Sequence, residues 1–165
     1  MIKIYLAGPD VFRENAVEHL NSLKELCSKY EFEGLAPLDN IIIVPEAEQG
    51  TPIHSNLIFK ANLEMIKQCD VIVANIEPFR GACIDDGTAW EIGCGFALGK
   101  KIWGYSGRYA DMSLKDITEG YQWSSAIDTS EYTIVEDFGN SVNLMIADSI
   151  RDSGGEILNT FESCL

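Results

Sequence analysis

Two acids flanking one predicted helix start are the clearest chemical signal in this chain. Asp85 lies in a loop, and Glu91 follows six residues later, about one turn into a helix opened by Gly87-Thr88. A carboxylate near a helix start is held in its charged form by the helix dipole, which suits a nucleophile or a counter-charge to a cation. Two carboxylates in different surroundings can divide the work, one ionised and one carrying a proton. A plainer explanation exists, because acids at helix starts also satisfy the free amides there. Asp86 competes with Asp85, and capping alone would account for one of the two.

The helix presenting Glu91 is expected to pack through Ala89, Ile92, Gly93, Phe96 and Ala97, spaced by threes and fours, with Glu91 turned toward a crevice. Gly93 and Gly95 each cost roughly 1 kcal/mol in mid-helix. Close packing against a strand or another subunit would explain them. Other candidates have two readings each. Asp10 and Asp39 sit at predicted strand ends, where they either touch substrate or shape turns. Phe12 either stacks on a ligand or joins the core. Arg80 either pairs with Asp85 or Asp86 or gates the crevice. Trp90 fits packing, His19 the surface, and His54 the neighbourhood of a helix cap.

The elements that must position these groups alternate along the chain. Strands are expected at 2–7, 32–35, 71–76 and 101–105, and helices at 14–30, 54–68, 87–98 and 140–152. The first helix would bury Val17, Leu20, Leu23, Leu26 and Cys27. The second would bury Leu57, Ile58, Ala61, Leu63 and Met65. Val71-Ile72-Val73-Ala74-Asn75-Ile76 is nearly all apolar, as a central parallel strand covered on both faces requires. The loop at 39–53 holds a short extended candidate in Ile41-Ile42-Ile43-Val44. Residues 106–130 look irregular and aromatic, with Tyr109, Tyr121 and Trp123, and 132–135 is a further short strand candidate. This is a doubly wound α/β pattern in one domain over residues 1–165, a parallel sheet with helices on both faces. Ligands in such folds sit beyond the carboxyl ends of the strands. That rule selects residues 7–12, 37–40, 75–91 and 104 onward.

The bulk properties narrow the partners. The 165 residues carry a net charge of −14, which repels nucleic-acid phosphates and anionic lipid. No apolar run is long enough for a membrane span. Cys27, Cys69, Cys83, Cys94 and Cys164 form no CxxC or zinc spacing, so neither a structural metal nor a cofactor is implied. Their odd number and apolar neighbours suit reduced thiols in a cytoplasmic protein.

Several blocks together resemble the nucleoside 2-deoxyribosyltransferase family. They are Ile4-Tyr5-Leu6-Ala7-Gly8-Pro9-Asp10-Val11-Phe12, Pro37-Leu38-Asp39-Asn40, Ala61-Asn62-Leu63, the stretch 70–80, Gly87-Thr88-Ala89-Trp90-Glu91 with Asp85 and Gly93, Val135-Glu136-Asp137-Phe138-Gly139, and Asn143-Leu144-Met145. The resemblance runs from the first strand to the last helix and implies a flavodoxin-like fold. It implies transfer of a 2-deoxyribosyl group between nucleobases, with Glu91 attacking C1′ and net retention there. Asp85 would contact the substrate and assist proton transfer at the base. Tyr5 would orient the nucleophile. Asn143 would reach a neighbouring subunit's sugar 5′-hydroxyl, which implies a homo-oligomer. Gly8, Asp10, Phe12, Asp39, Asn62, Arg80 and Gly87 complete the substrate-binding positions. Asn62 departs from the family pattern, because related members carry aspartate there. The chain end Phe161-Glu162-Ser163-Cys164-Leu165 lacks the matching aromatic. A hydrolase of nucleosides or nucleoside 5′-monophosphates would share the chemistry up to the covalent intermediate. A non-catalytic nucleoside-binding module would leave Glu91 incidental.

Overall fold

The computed structural model describes residues 1–40, 42–120 and 134–165. Ile41, Tyr121 and Trp123, named above, and the first two residues of the 132–135 strand candidate lie outside them. Five strands, β1 (Ile2–Ala7), β2 (Phe32–Leu35), β3 (Val71–Asn75), β4 (Lys101–Tyr105) and β5 (Ile157–Leu158), form one sheet in the order β2-β1-β3-β4-β5. Every pairing is parallel. This is the flavodoxin-like order, in which the strand sequence reverses between β1 and β3 and leaves a crevice there.

Strand alternation divides the core into two faces. Tyr5, Ala7, Ile72, Ala74 and Ile102 point to one side, where they meet Met65 and Ile66 of α2 (Pro52–Gln68), Ile92 of α3 (Asp86–Ala97), and Ala147 and Ile150 of α5 (Leu144–Asp152). Ile4, Leu6 and Val73 point to the other side, against Leu20 and Cys27 of α1 (Ala16–Lys29) and Phe161 and Cys164 of the C-terminal segment. With both faces covered, the continuous apolar run of β3 is fully accounted for.

Several expectations are corrected. The fifth strand lies at Ile157–Leu158, in the tail, and the described residues Ile134 and Val135 are not in a strand. Leu114–Gly120 forms α4 within the stretch expected to be irregular. The last helix begins at Leu144, because Asn143 caps it through a bond from the Met145 amide. Val17, Leu57 and Ile58 are exposed. In α1 the buried stripe is Ala16, Leu20 and Cys27, one position off Val17, and in α2 only Met65 and Ile66 near its C-terminal end are buried. In α3 the buried positions are Thr88, Ile92 and Gly95, while Gly93, Phe96 and Ala97 are exposed. A Cβ at Gly95 would lie 2.2 Å from Ile72 Cδ1, so it is this glycine that lets the helix lie close on β3. Among the described residues, no helix is long and apolar enough to cross a membrane.

Candidate active site

Tyr5 projects from β1 toward α3 and is wholly buried. Its hydroxyl donates to Glu91 Oε1 at 2.6 Å. Among the described residues it is the one hydrogen-bond donor to that carboxylate. Burial pushes the Glu91 pKa up from 4.5 to about 7. The Tyr5 hydrogen bond opposes the rise, and the nearby Asp85 charge adds to it. Burial, rather than the helix dipole expected from the sequence, therefore dominates the titration of Glu91. Glu91 lies in the second turn of a helix that begins at Asp86, beyond the strongest part of the dipole field. Burial and the Glu91 charge raise the Tyr5 pKa well above its usual value, so Tyr5 remains a donor.

Asp85, rather than Asp86, caps α3. Its Oδ2 accepts from the Thr88 amide at 2.9 Å and the Thr88 hydroxyl at 3.1 Å. Capping and a place beside Glu91 thus coincide in one residue. Gly87 follows in the first turn, where a Cβ would press to 3.0 Å from Asp85 Oδ2.

The reversal between β1 and β3 is built on contacts too close for side chains. Gly8 has φ 152°, and a Cβ there would lie 2.7 Å from that of Asn75. Asp10, only 4% exposed, lies just beyond. Its Oδ1 accepts from Arg13 Nε at 2.7 Å and faces His19 Nε2 at 3.1 Å. Its Oδ2 accepts from Asn75 Nδ2 at 2.9 Å, with the Tyr105 hydroxyl at 3.5 Å. Of the two readings of Asp10, this geometry builds the structural one. His19, expected at the surface, belongs to this cluster, and sequence reasoning passed over Asn75. A polar residue ending an apolar strand at the reversal was the available signal.

Phe12 is 59% exposed and not part of the core. It stacks on Phe79 with centroids 5.2 Å apart, and the Arg80 guanidinium lies 4.5 Å from the Phe79 centroid and 5.2 Å from that of Phe12. Arg80 therefore rests over aromatic rings, with no ion pair to Asp85 or Asp86 among the described residues. Its φ of 54° is a strained left-handed conformation for a side-chain-bearing residue. Trp90 is half-exposed and meets Phe59 edge-on.

Asp39 turns back on its own loop. Its Oδ2 accepts from the Ala36 amide at 2.8 Å, and Lys24 Nζ donates to Oδ1 at 2.5 Å. Beside this turn a cavity of about 180 Å³ is lined by Pro37, Leu38, Asn40, Ile42, Ile58 and Asn62, among others. Asn62 Oδ1 is buried with no hydrogen-bond partner among the described residues. An orphaned buried acceptor costs about 1–3 kcal/mol, which a ligand donor would recover. Asn143 is exposed at the N-terminus of α5, held by Glu136. The described residues contain no cluster of His, Cys, Asp or Glu able to hold a metal ion. His54 accepts from the Gly50 amide at 3.3 Å, next to the start of α2.

The structure thus holds a buried carboxylate oriented by a phenol, a stacked aromatic pair under Arg80, and a small pocket with an orphaned acceptor. Comparison with known proteins gives these parts a common context. The model of the nucleoside 2-deoxyribosyltransferase family matches residues 4–145. A 2-deoxyribosyltransferase from Leishmania mexicana has a similar structure, with 31% identity and a TM-score of 0.74, over 99% of this chain and 94% of that one. A 2-deoxyribosyltransferase from the psychrotolerant bacterium Bacillus psychrosaccharolyticus is 28% identical with a TM-score of 0.57, over 90% of this chain and 82% of that one. An uncharacterized protein of Schizosaccharomyces pombe is 32% identical, over 96% of this chain and 81% of its own length. With the match running from the first strand into the last helix, the chain belongs to the nucleoside 2-deoxyribosyltransferase family.

Proposed function

We propose that the protein transfers a 2-deoxyribosyl group between nucleobases through a covalent intermediate on Glu91, with retention at C1′. The observation that carries this reading is the 2.6 Å hydrogen bond from buried Tyr5 to Glu91 Oε1. It fixes one carboxylate oxygen and leaves the other to attack. Glycosyl transfer passes through a cationic, oxocarbenium-like state. A carboxylate in a dry site both stabilises that charge and captures the carbon. With a pKa of about 7, Glu91 is substantially ionised at neutral pH yet more basic than an exposed glutamate. As the base departs, the C1′–N bond breaks and its electron pair goes to the base, while the C1′–O bond to Glu91 forms. A second base then attacks C1′ from the face the first one left, so that a new C1′–N bond forms as the C1′–O bond breaks and its electron pair returns to the Glu91 carboxylate.

Asp85 contacts the substrate and assists proton transfer at the departing base through Oδ1, since Oδ2 is occupied by the cap contacts. Asn62 cannot do this, because an amide has no acidic proton. Its orphaned Oδ1 instead accepts an N–H from a base in the adjoining pocket. Phe12 and Arg80 form the rim over which base and sugar enter, with Gly8 and Gly87 giving close backbone approach. Asp10 and Asp39 hold the crevice loops in shape. The reading needs deoxynucleosides and free nucleobases as partners and requires no cofactor. We assign the active form to a homo-oligomer, a reading supported by the exposed apolar Leu57, Ile58, Phe59 and Trp90 on α2 and α3 and by Phe138 and Met145 near Asn143.

Incubation with 2′-deoxyinosine and adenine, followed by chromatography, tests the reading. Formation of 2′-deoxyadenosine is the expected result. Release of free deoxyribose alone, with adenine present, would establish hydrolysis instead.

A further inference from the structure

Asn143 is gripped at both ends of its amide. Its Oδ1 accepts from the Met145 amide at 3.0 Å, and its Nδ2 donates to Glu136 Oε2 at 2.8 Å. The other Glu136 oxygen accepts from the Leu144 amide at 2.5 Å. Among the described residues, one N–H of the Asn143 side chain is thus left to meet a ligand, and it can only donate. The partly buried Glu136 carboxylate stands directly behind it. Among the described residues, the cations beside this segment are already engaged. Lys115 faces Asp137 at 3.3 Å, and Arg151 bonds to Asp148 at 3.1 Å and to Asn140 Oδ1 at 2.7 Å.

We propose that Glu136 is a specificity-determining residue that selects a 5′-hydroxyl over a 5′-phosphate. The inference rests on the transferase reading, in which Asn143 meets the sugar 5′-oxygen of a neighbouring subunit's substrate. Glu136 acts in two ways. It aims the remaining Asn143 N–H at the 5′-oxygen, and its negative charge opposes a phosphate in that place. A nucleoside gains the hydrogen bond without the repulsion, whereas a nucleoside 5′-monophosphate meets a carboxylate where it needs a cation. Glu136 touches substrate only through Asn143, so it is a positioning residue and not a catalytic one.

The test compares the full-length wild type with Glu136→Gln and Glu136→Ala. The donors are 2′-deoxyadenosine, its 5′-deoxy analogue and its 5′-monophosphate, with hypoxanthine as acceptor. Glu136→Gln keeps an acceptor for the Leu144 amide and removes the charge. It should raise kcat/KM for the monophosphate relative to the nucleoside by about tenfold or more, as expected for removing a like charge at close range. Glu136→Ala should raise KM for 2′-deoxyadenosine about tenfold, the value of one oriented hydrogen bond, with kcat little changed and the 5′-deoxy analogue unaffected. An unchanged nucleoside-to-nucleotide ratio in Glu136→Gln overturns the proposal. So does an equal loss for 2′-deoxyadenosine and its 5′-deoxy analogue in Glu136→Ala, which would make Glu136 a helix cap and nothing more. Wild-type protein that transfers from none of the donors overturns the transferase reading, and this inference with it.

Discussion

Asp10 and Glu91 are two carboxylates set into the same α/β framework, and their surroundings are opposite. Asp10 is met by Arg13, His19, Asn75 and Tyr105, so both its oxygens are taken. Glu91 is met by Tyr5 alone among the described residues, and burial raises its pKa to about 7. A carboxylate saturated with donors joins loops and strands and has little left for chemistry. One that is buried and under-supplied with donors is costly to keep ionised, and that cost makes it reactive. The difference teaches how one fold separates a structural acid from a working one through the count of donors rather than through the acid itself.

Exchanging the carboxylates tests this division, and the largest effect falls on turnover. Glu91→Gln should reduce transfer by on the order of 10⁴-fold or more, as removal of a covalent nucleophile does. The same change should stabilise the fold at neutral and alkaline pH. The folded pKa of Glu91 is above its ordinary 4.5, so the native state holds the proton more tightly than the unfolded chain does. The stability this contributes is complete below pH 4.5 and is lost as pH rises through about 7. Relative to Glu91→Gln, the wild type should lose up to about 3 kcal/mol across that window, measured by urea unfolding at several pH values.

Asp10→Ala should act in the reverse sense. Breaking a buried, donor-rich carboxylate leaves its partners unpaired and should cost about 2–4 kcal/mol. In a domain of this size that lowers Tm by roughly 5–15 °C, measurable by calorimetry. Stability gained in this variant, or unchanged, would dissolve the contrast with Glu91.

Tyr5→Phe sharpens the comparison by removing the donor that Glu91 does have. A lost orienting hydrogen bond to a charged group should reduce kcat about 10–100-fold. Because that bond lowers the Glu91 pKa, the acid limb of the pH–rate profile should move above its wild-type position near pH 7. An acid limb that stays in place would detach Tyr5 from the nucleophile. Arg80→Ala is the smallest change. Its guanidinium sits over exposed rings, so KM should rise only a few-fold while the pH profile stays put.

The sheet and the helix start at Glu91 were legible because each rests on strong local patterns, whereas the pairing of Tyr5 with Glu91, distant in sequence, was implied only by the family resemblance. The β3 run is continuous and apolar, and the Gly-Thr-Ala-Trp-Glu block lies on a clear helix start. Other parts were hidden for physical reasons. β5 is two residues long, too short for any alternation to appear. Gly93 and Gly95 differ only by position on the helix, and their identity cannot reveal which one meets Ile72. The Asp10 cluster draws on residues as distant as Tyr105, which only the folded sheet brings together. The effect of burial on Glu91 was hidden too, because a helix start is visible in sequence and burial is not.

The most direct measurement of the central claim is mass spectrometry of protein quenched in acid after mixing with 2′-deoxyinosine and no acceptor. A deoxyribosyl adduct on the peptide containing Glu91, chased off by adenine and missing from Glu91→Gln, is the predicted result. An adduct on another residue, or continued base exchange by Glu91→Gln, would contradict it.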